Sequence, residues 1–204
     1  FAGDQGMAWG QHGFQQKIAP YDANIRSPLI MSFPGHIPKG KVCPTPVGGT
    51  DMAPTFFSFA GLPLPWKMHG HDLTPLLKDP NRAWAHPVLT ALTGEKYGSD
   101  TDVIPTDPEV LLKTANVPWW VSLLRGRYKY IRTLVENEVE ELYNLETDPE
   151  ELVNLALQPK YLDRLRSMRA DTLAELRRTD AGMADSLPTF STPQTYASGC
   201  GAWP

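Results

Sequence analysis

Three β-rich runs, Trp119 to Leu124, Tyr128 to Leu134 and Val139 to Leu145, follow one another closely, and this spacing limits the fold more than any other feature of the chain. Arg125-Gly126-Arg127 makes a tight turn between the first two, so the runs form a small antiparallel unit. Arg125, Arg127, Lys129 and Arg132 alternate with Tyr128, Tyr130 and Ile131. An anion-binding strip is one reading of these cations, and a solvated face of a half-buried sheet is the reading preferred here. Downstream, Tyr161, Leu162, Leu165, Met168, Leu173 and Leu176 recur at three- and four-residue steps with Arg and Asp between them, predicting an amphipathic helix that lies on the sheet. Asp148-Pro149-Glu150-Glu151 carries an N-cap, a proline at a first helical position and an acidic residue near the capping-box position, which marks a short helix or turn.

The first half is organised differently. Residues 28–33 (PLIMSF) are a continuous apolar run closed by Pro34-Gly35, as expected of a buried strand in an α/β sheet. Phe1-Ala2-Gly3 reads as the end of another. The i,i+4 spacing of Asp22 and Arg26 suits a salt bridge on a helical turn. Asp51 before Met52-Ala53-Pro54-Thr55-Phe56-Phe57-Ser58-Phe59-Ala60, with Gly61 after it, predicts an N-cap, a core helix and a glycine stop. A long connection follows to Pro80 with one helical turn at 73–77, then a strand at 86–92. Residues 93–118 are broken by Gly, Asp and Pro around a short helix at 108–114. Lys96, Tyr97 and Asp100 are candidates for a substrate-facing wall there. After Arg178 the Gly, Pro, Ser and Thr content rises and Pro188 to Pro204 has no period, predicting a draped or disordered tail. The expected units are 1–92, the late part of an α/β domain; 93–178, antiparallel strands with their helix; and 179–204, irregular.

The chemistry concentrates near the start. Asp4-Gln5-Gly6 offers a carboxylate and an amide oxygen, the hard donors that Ca²⁺ or Mg²⁺ prefers, and Gly6 permits close approach of the backbone to an ion. Thirteen positions after Asp4, Lys17 adds a compact positive charge suited to a phosphate or sulfate oxygen. An ordinary turn also reads D-x-G. His12 is a candidate acid/base or a residue that packs and orients the loop. His36, His69, His71 and His86 lie in other loops, where surface or packing roles are expected. A net charge of −4 with no basic run argues against nucleic acid as a partner. No stretch of about 18 apolar residues exists to span a membrane. Two distant cysteines decide nothing about redox compartment.

In order along the chain, Asp4-Gln5-Gly6, Lys17, Tyr21-Asp22-Ala23-Asn24-Ile25-Arg26-Ser27-Pro28-Leu29-Ile30, Phe33-Pro34-Gly35, Asp51-Met52-Ala53-Pro54-Thr55, Ala60-Gly61-Leu62-Pro63, Leu124 to Tyr130 and Glu141 to Ala156 resemble the carboxy-terminal part of the type I sulfatases, within the alkaline-phosphatase-like superfamily. The resemblance covers roughly residues 1–178. It implies an α/β fold: the late part of an α/β/α sandwich, followed by a small antiparallel sheet packed with a helix. It also implies hydrolysis of a sulfate ester by a formylglycine nucleophile on a divalent cation, usually Ca²⁺ with Mg²⁺ as the alternative. By the same resemblance Asp4 and Gln5 are metal ligands, Gln5 standing where His or Asn is more usual, and Lys17 contacts the sulfate.

The nucleophile motif C/S-x-P-x-R is not in this chain: Cys43 is followed by Pro-Thr-Pro-Val and Cys200 by Gly-Ala-Trp-Pro. Nor is there an Asp-Asp pair. The expectation is a truncated sulfatase carrying the late half of the site and inactive alone, whose substrate is a sulfated small molecule or carbohydrate. A periplasmic or secreted location follows from the family. A phosphonate or phosphate ester hydrolase of the same superfamily and a non-catalytic metal-binding scaffold are the alternatives.

Overall fold

The computed structural model describes residues 1–94, 98–111 and 117–191. In chain order the elements are β1 (Ala8–Trp9), β2 (Gln15–Gln16), α1 (Asp22–Ile25), α2 (Met52–Ala60), α3 (Thr74–Lys78), β3 (Val88–Leu92), α4 (Pro108–Leu111), β4 (Trp120–Arg125), β5 (Tyr128–Thr133), β6 (Glu138–Val139), β7 (Glu141–Asn144), α5 (Leu162–Arg178) and β8 (Phe190–Ser191). The antiparallel unit expected from the sequence is present as a four-stranded sheet in the order β3-β4-β5-β7. Gly126, at φ +58°, takes the first place of the two-residue loop joining β4 to β5, where a turn of matching twist needs a glycine.

Side chains alternate across a strand, so the register sorts this sheet into two faces. Val121, Leu123, Tyr130 and Leu142 lie on one face, paired as Leu123 with Tyr130 and Tyr130 with Leu142. There they meet α5, whose Leu165, Met168, Thr172 and Leu176 are buried. The expected amphipathic helix is therefore found where its apolar stripe required. Trp120, Lys129 and Tyr143 occupy the other face, and they hold the segment between β2 and α1. This second face is what positions the candidate site.

Lys129 corrects the solvated-face expectation. It is 1 % exposed, with Nζ 2.9 Å from Asp22 Oδ1 and 2.7 Å from Glu151 Oε1. Arg132 is also buried, donating to the Pro188 carbonyl with its guanidinium over the Phe190 ring. Arg125 and Arg127 pair with Asp171 and Glu146. Asp22 thus spends its carboxylate on Lys129 across the fold; the expected pair with Arg26 is not formed, because α1 is a single turn. Asp148 accepts from the amides of Leu152 and Val153, so 148–151 is a turn, and Glu151 (φ +56°) points its carboxylate inward.

The run 28–33 is not a buried strand. Leu29 makes only an isolated antiparallel bridge to Ala2, while Ile30 is 62 % and Phe1 81 % exposed. A strand buried in a parallel sheet needs partners on both edges and layers on both faces; among the described residues only Phe1–Gly3 pairs with this one in strand fashion. Helix α2 is half-buried for the same reason, with Pro54 and Thr55 inward and Phe56 exposed. Gly61 ends it in the left-handed conformation, as expected. Asp51 does not cap α2 with its side chain; its carboxylate accepts from the amides of Gly48 (2.8 Å) and His71 (2.7 Å), tying two loops together. Beyond Arg178, Met183 and Ala184 are buried in the core and β8 pairs in parallel with β6, so the stretch is anchored as far as Ser191. Lys96, Tyr97 and Cys200 lie outside the described residues.

Candidate functional site

β1 and β2 form a short hairpin, Ala8 opposite Gln16, and Lys17 follows directly after it. Gln16 has φ +72°, a left-handed backbone unusual for a residue with a side chain. That turn of the chain carries Lys17 back over Asp4. Lys17 Nζ donates to both carboxylate oxygens, 3.0 Å to Oδ1 and 2.8 Å to Oδ2. Asp4 Oδ1 also accepts from the Gln5 amide at 2.8 Å, and Gln5 Nε2 donates to the Lys17 carbonyl at 2.7 Å. Three of the four expected site residues are thus in mutual contact.

The pair is open to solvent, the Asp4 side chain 76 % and that of Lys17 36 % exposed. The Lys17 hydrogen bond, the Gln5 amide and the Lys17 charge hold the Asp4 carboxyl below the usual carboxylate range. Exposed ion pairs contribute little to stability. Gly6 makes a close approach to protein. A Cβ there would lie 2.4 Å from the Ala23 carbonyl oxygen and 2.8 Å from that of Arg26, so only glycine lets the Asp4 loop pack on the end of α1.

His12 stands apart from the other three. Its ring stacks on Tyr21 at 3.7 Å, with parallel planes, and Nε2 donates to the Glu150 carbonyl at 2.9 Å. Gln11, His12, Asp22, Arg26, Glu150 and Glu151 line a cavity of about 260 Å³ there. The Tyr21 hydroxyl donates to Glu141, as does that of Tyr143. Burial and the Glu141 carboxylate push both phenols well above their ordinary range. Burial also raises the Glu151 carboxyl, against the opposing pull of Lys129. Pairing of Lys129 with Asp22 and Glu151 was missed from sequence; no short-range spacing signals it, since the partners come from three separate segments.

A second concavity of about 550 Å³ joins two of the remaining histidines: His71 stacks on His86 at 3.8 Å beside Trp84. Burial, then His86 and Arg178, hold the His71 imidazole below the usual histidine range, with Asp51 and Glu175 pulling the other way. The folded state therefore prefers the neutral ring, while the unfolded chain protonates near pH 6.5. This contribution to stability is complete above about pH 6.5 and is lost as pH falls toward the lower folded value. The urea midpoint should decline between pH 7 and 5.5, less steeply in His71→Gln. Equal slopes in the two proteins contradict the assignment.

As to cations, no group of three or more His, Cys, Asp or Glu able to hold a metal occurs among the described residues. The donor chemistry still fits a hard divalent ion in part: Asp4 is ionised and accessible, and Gln5 Oε1 accepts no hydrogen bond among the described residues. Two oxygens are a fraction of the six to eight that Ca²⁺ takes.

Comparison with known proteins agrees with the sequence resemblance. Residues 10–91 match the family model described as N-sulphoglucosamine sulphohydrolase, C-terminal. An arylsulfatase of Clostridium perfringens is 28% identical over 190 residues, a match that covers 91% of this chain and 34% of that one. Among solved structures, one determined with its substrate D-glucosamine-2-N,6-O-disulfate superposes with a TM-score of 0.69 at 21% identity, over 90% of this chain and 35% of the other. A phosphonate monoester hydrolase from Silicibacter pomeroyi gives 0.68 at 21% identity, over 89% and 35%. The chain spans about a third of the length of these proteins. The chain is similar to the carboxy-terminal third of sulfatases, and its fold is the carboxy-terminal part of the alkaline-phosphatase-like fold.

Proposed function

We propose that this chain supplies the late half of the active site of a sulfuric ester hydrolase. The observation that carries the reading is the contact among Asp4, Gln5 and Lys17, exposed to solvent and built at the positions where the family resemblance requires it. Asp4 and Gln5 Oε1 would hold the cation, Ca²⁺ by family preference and Mg²⁺ as the alternative. When bound, a divalent ion withdraws charge from the sulfuryl oxygens and favours attack. Lys17 donates hydrogen bonds to a sulfuryl oxygen and stabilises charge that develops there in the transition state. Asp4 keeps the ammonium in place before substrate arrives. His12 has its Nε2 proton committed to Glu150, which leaves Nδ1 for any acid/base contact.

The formylglycine nucleophile and the other carboxylate ligands belong to residues outside this chain. The 204 residues alone therefore hydrolyse no sulfate ester. The substrate class is a sulfated small molecule or carbohydrate, since one structural neighbour was solved with a disulfated glucosamine. A periplasmic or secreted location goes with this reading; no helix among the described residues is long and apolar enough to cross a membrane.

The phosphonate monoester hydrolase neighbour supports a second reading, because a cation and a lysine serve a phosphoryl group equally well. Parallel assays of a protein of the relatives' full length, with aryl sulfate and aryl phosphonate monoesters, separate the two. The expected result is a higher kcat/KM for the sulfate. A clear preference for the phosphonate transfers the site to the second reading.

A further inference from the structure

Three consecutive backbone carbonyls around Lys17 each accept a hydrogen bond from a different side chain. Asn24 Nδ2 donates to Gln16 O at 2.8 Å, Gln5 Nε2 to Lys17 O at 2.7 Å, and Trp120 Nε1 to Ile18 O at 2.8 Å. Asn24 is 1 % and Trp120 3 % exposed, so neither donor has water as an alternative. The Gln16 backbone lies in the left-handed region, which a side-chain-bearing residue keeps only when its surroundings hold it. Both donors are themselves anchored. Trp120 is a strand residue of the central sheet, and α1, which carries Asn24, is tied to that sheet through Asp22, Lys129 and Glu151.

We propose that Asn24 and Trp120 are positioning residues for Lys17: Asn24 fixes the peptide that enters it and Trp120 the peptide after Ile18, while Gln5 holds the peptide between them, so that the Lys17 ammonium meets an incoming anion at one place. This rests on the reading of Lys17 as the sulfate-binding cation. Nothing in the local sequence marks either residue, because Trp120 comes from a strand 102 positions away from Ile18. The sheet's second face thus acts on the anion site through hydrogen bonds to backbone.

The test is a double-mutant cycle in the full-length protein, read by calorimetric titration with inorganic sulfate and by kcat/KM for an aryl sulfate. Trp120→Phe removes the indole N–H and keeps an aromatic ring. Asn24→Leu removes the amide, whose Oδ1 makes no hydrogen bond here. Each should weaken sulfate binding and lower kcat/KM about three- to tenfold when Lys17 is present, the worth of one hydrogen bond. In the Lys17→Ala background each should change them by less than about twofold, since residues acting through one group are not additive. Should one variant unfold, the other carries the cycle alone. Equal losses in both backgrounds, or none in either, overturn the positioning role while Lys17 keeps its own. If Lys17→Ala leaves sulfate binding unchanged, the reading of Lys17 fails first and the positioning role falls with it.

Discussion

Lys129→Met should lower the unfolding free energy of this chain by about 3–5 kcal/mol, the usual cost of removing one partner from a buried ion pair. The substitution keeps most of the volume and removes the charge. It leaves the carboxylates of Asp22 and Glu151 facing each other in the interior, Glu151 being 2 % exposed. Glu151 is already raised by burial with the cation present, so without it the folded state binds a proton still more readily. A raised folded-state value means stability is greatest at acid pH and is lost as pH rises through that value. The deficit should therefore shrink as pH is lowered from 7 toward 5, and adding Glu151→Gln should recover part of it at neutral pH. Denaturant titration measures all three. A loss under about 0.5 kcal/mol at pH 7, inside the range of ordinary surface changes, would show that water reaches the cluster and that it does not clamp α1 to the sheet.

Lys17→Ala in the full-length protein should lower kcat/KM for a sulfate ester by about 10²–10³, the range seen when one donor aimed at a developing oxyanion is removed. On the proposed function the ammonium takes that task, and it is held on Asp4 by two hydrogen bonds with its own carbonyl supported by Gln5. Lys17→Arg should recover only part of the loss, because a planar guanidinium cannot place a point charge where the ammonium was. Thermal unfolding should barely change, since the pair is exposed. Steady-state kinetics beside a melting curve distinguishes lost function from lost fold. A variant that melts as the parent does and turns over at the parental rate removes Lys17 from the chemistry.

Local pattern carried much of the architecture. The β4–β5 hairpin was legible because Gly126 marks its turn, α5 because its apolar residues keep a helical period, and the end of α2 because Gly61 follows it. Expectations failed where burial depends on distant partners. Lys129 looks like a surface cation until Asp22 and Glu151 arrive from 107 and 22 positions away, by the numbering of the residues. Residues 28–33 have the composition of a central strand, yet burial needs neighbouring strands that the described residues do not supply. The Asp22 and Arg26 spacing assumed a helix longer than one turn. At the site, residue types suggested a cation and an anion, and the family resemblance joined them. The contact between Gln5 and the Lys17 carbonyl, and the hold of Asn24 and Trp120 on its neighbours, required the fold.

On the proposed function, Asp4 and Gln5 hold a divalent cation beside a sulfate-binding Lys17. Calcium titration of the full-length protein by calorimetry, comparing the parent with Asp4→Ala and Lys17→Ala, tests it most directly. Asp4→Ala should lose at least about tenfold in Ca²⁺ affinity, while Lys17→Ala, which frees both Asp4 oxygens of the ammonium, should bind Ca²⁺ at least as tightly as the parent. Parental Ca²⁺ affinity in Asp4→Ala would contradict it.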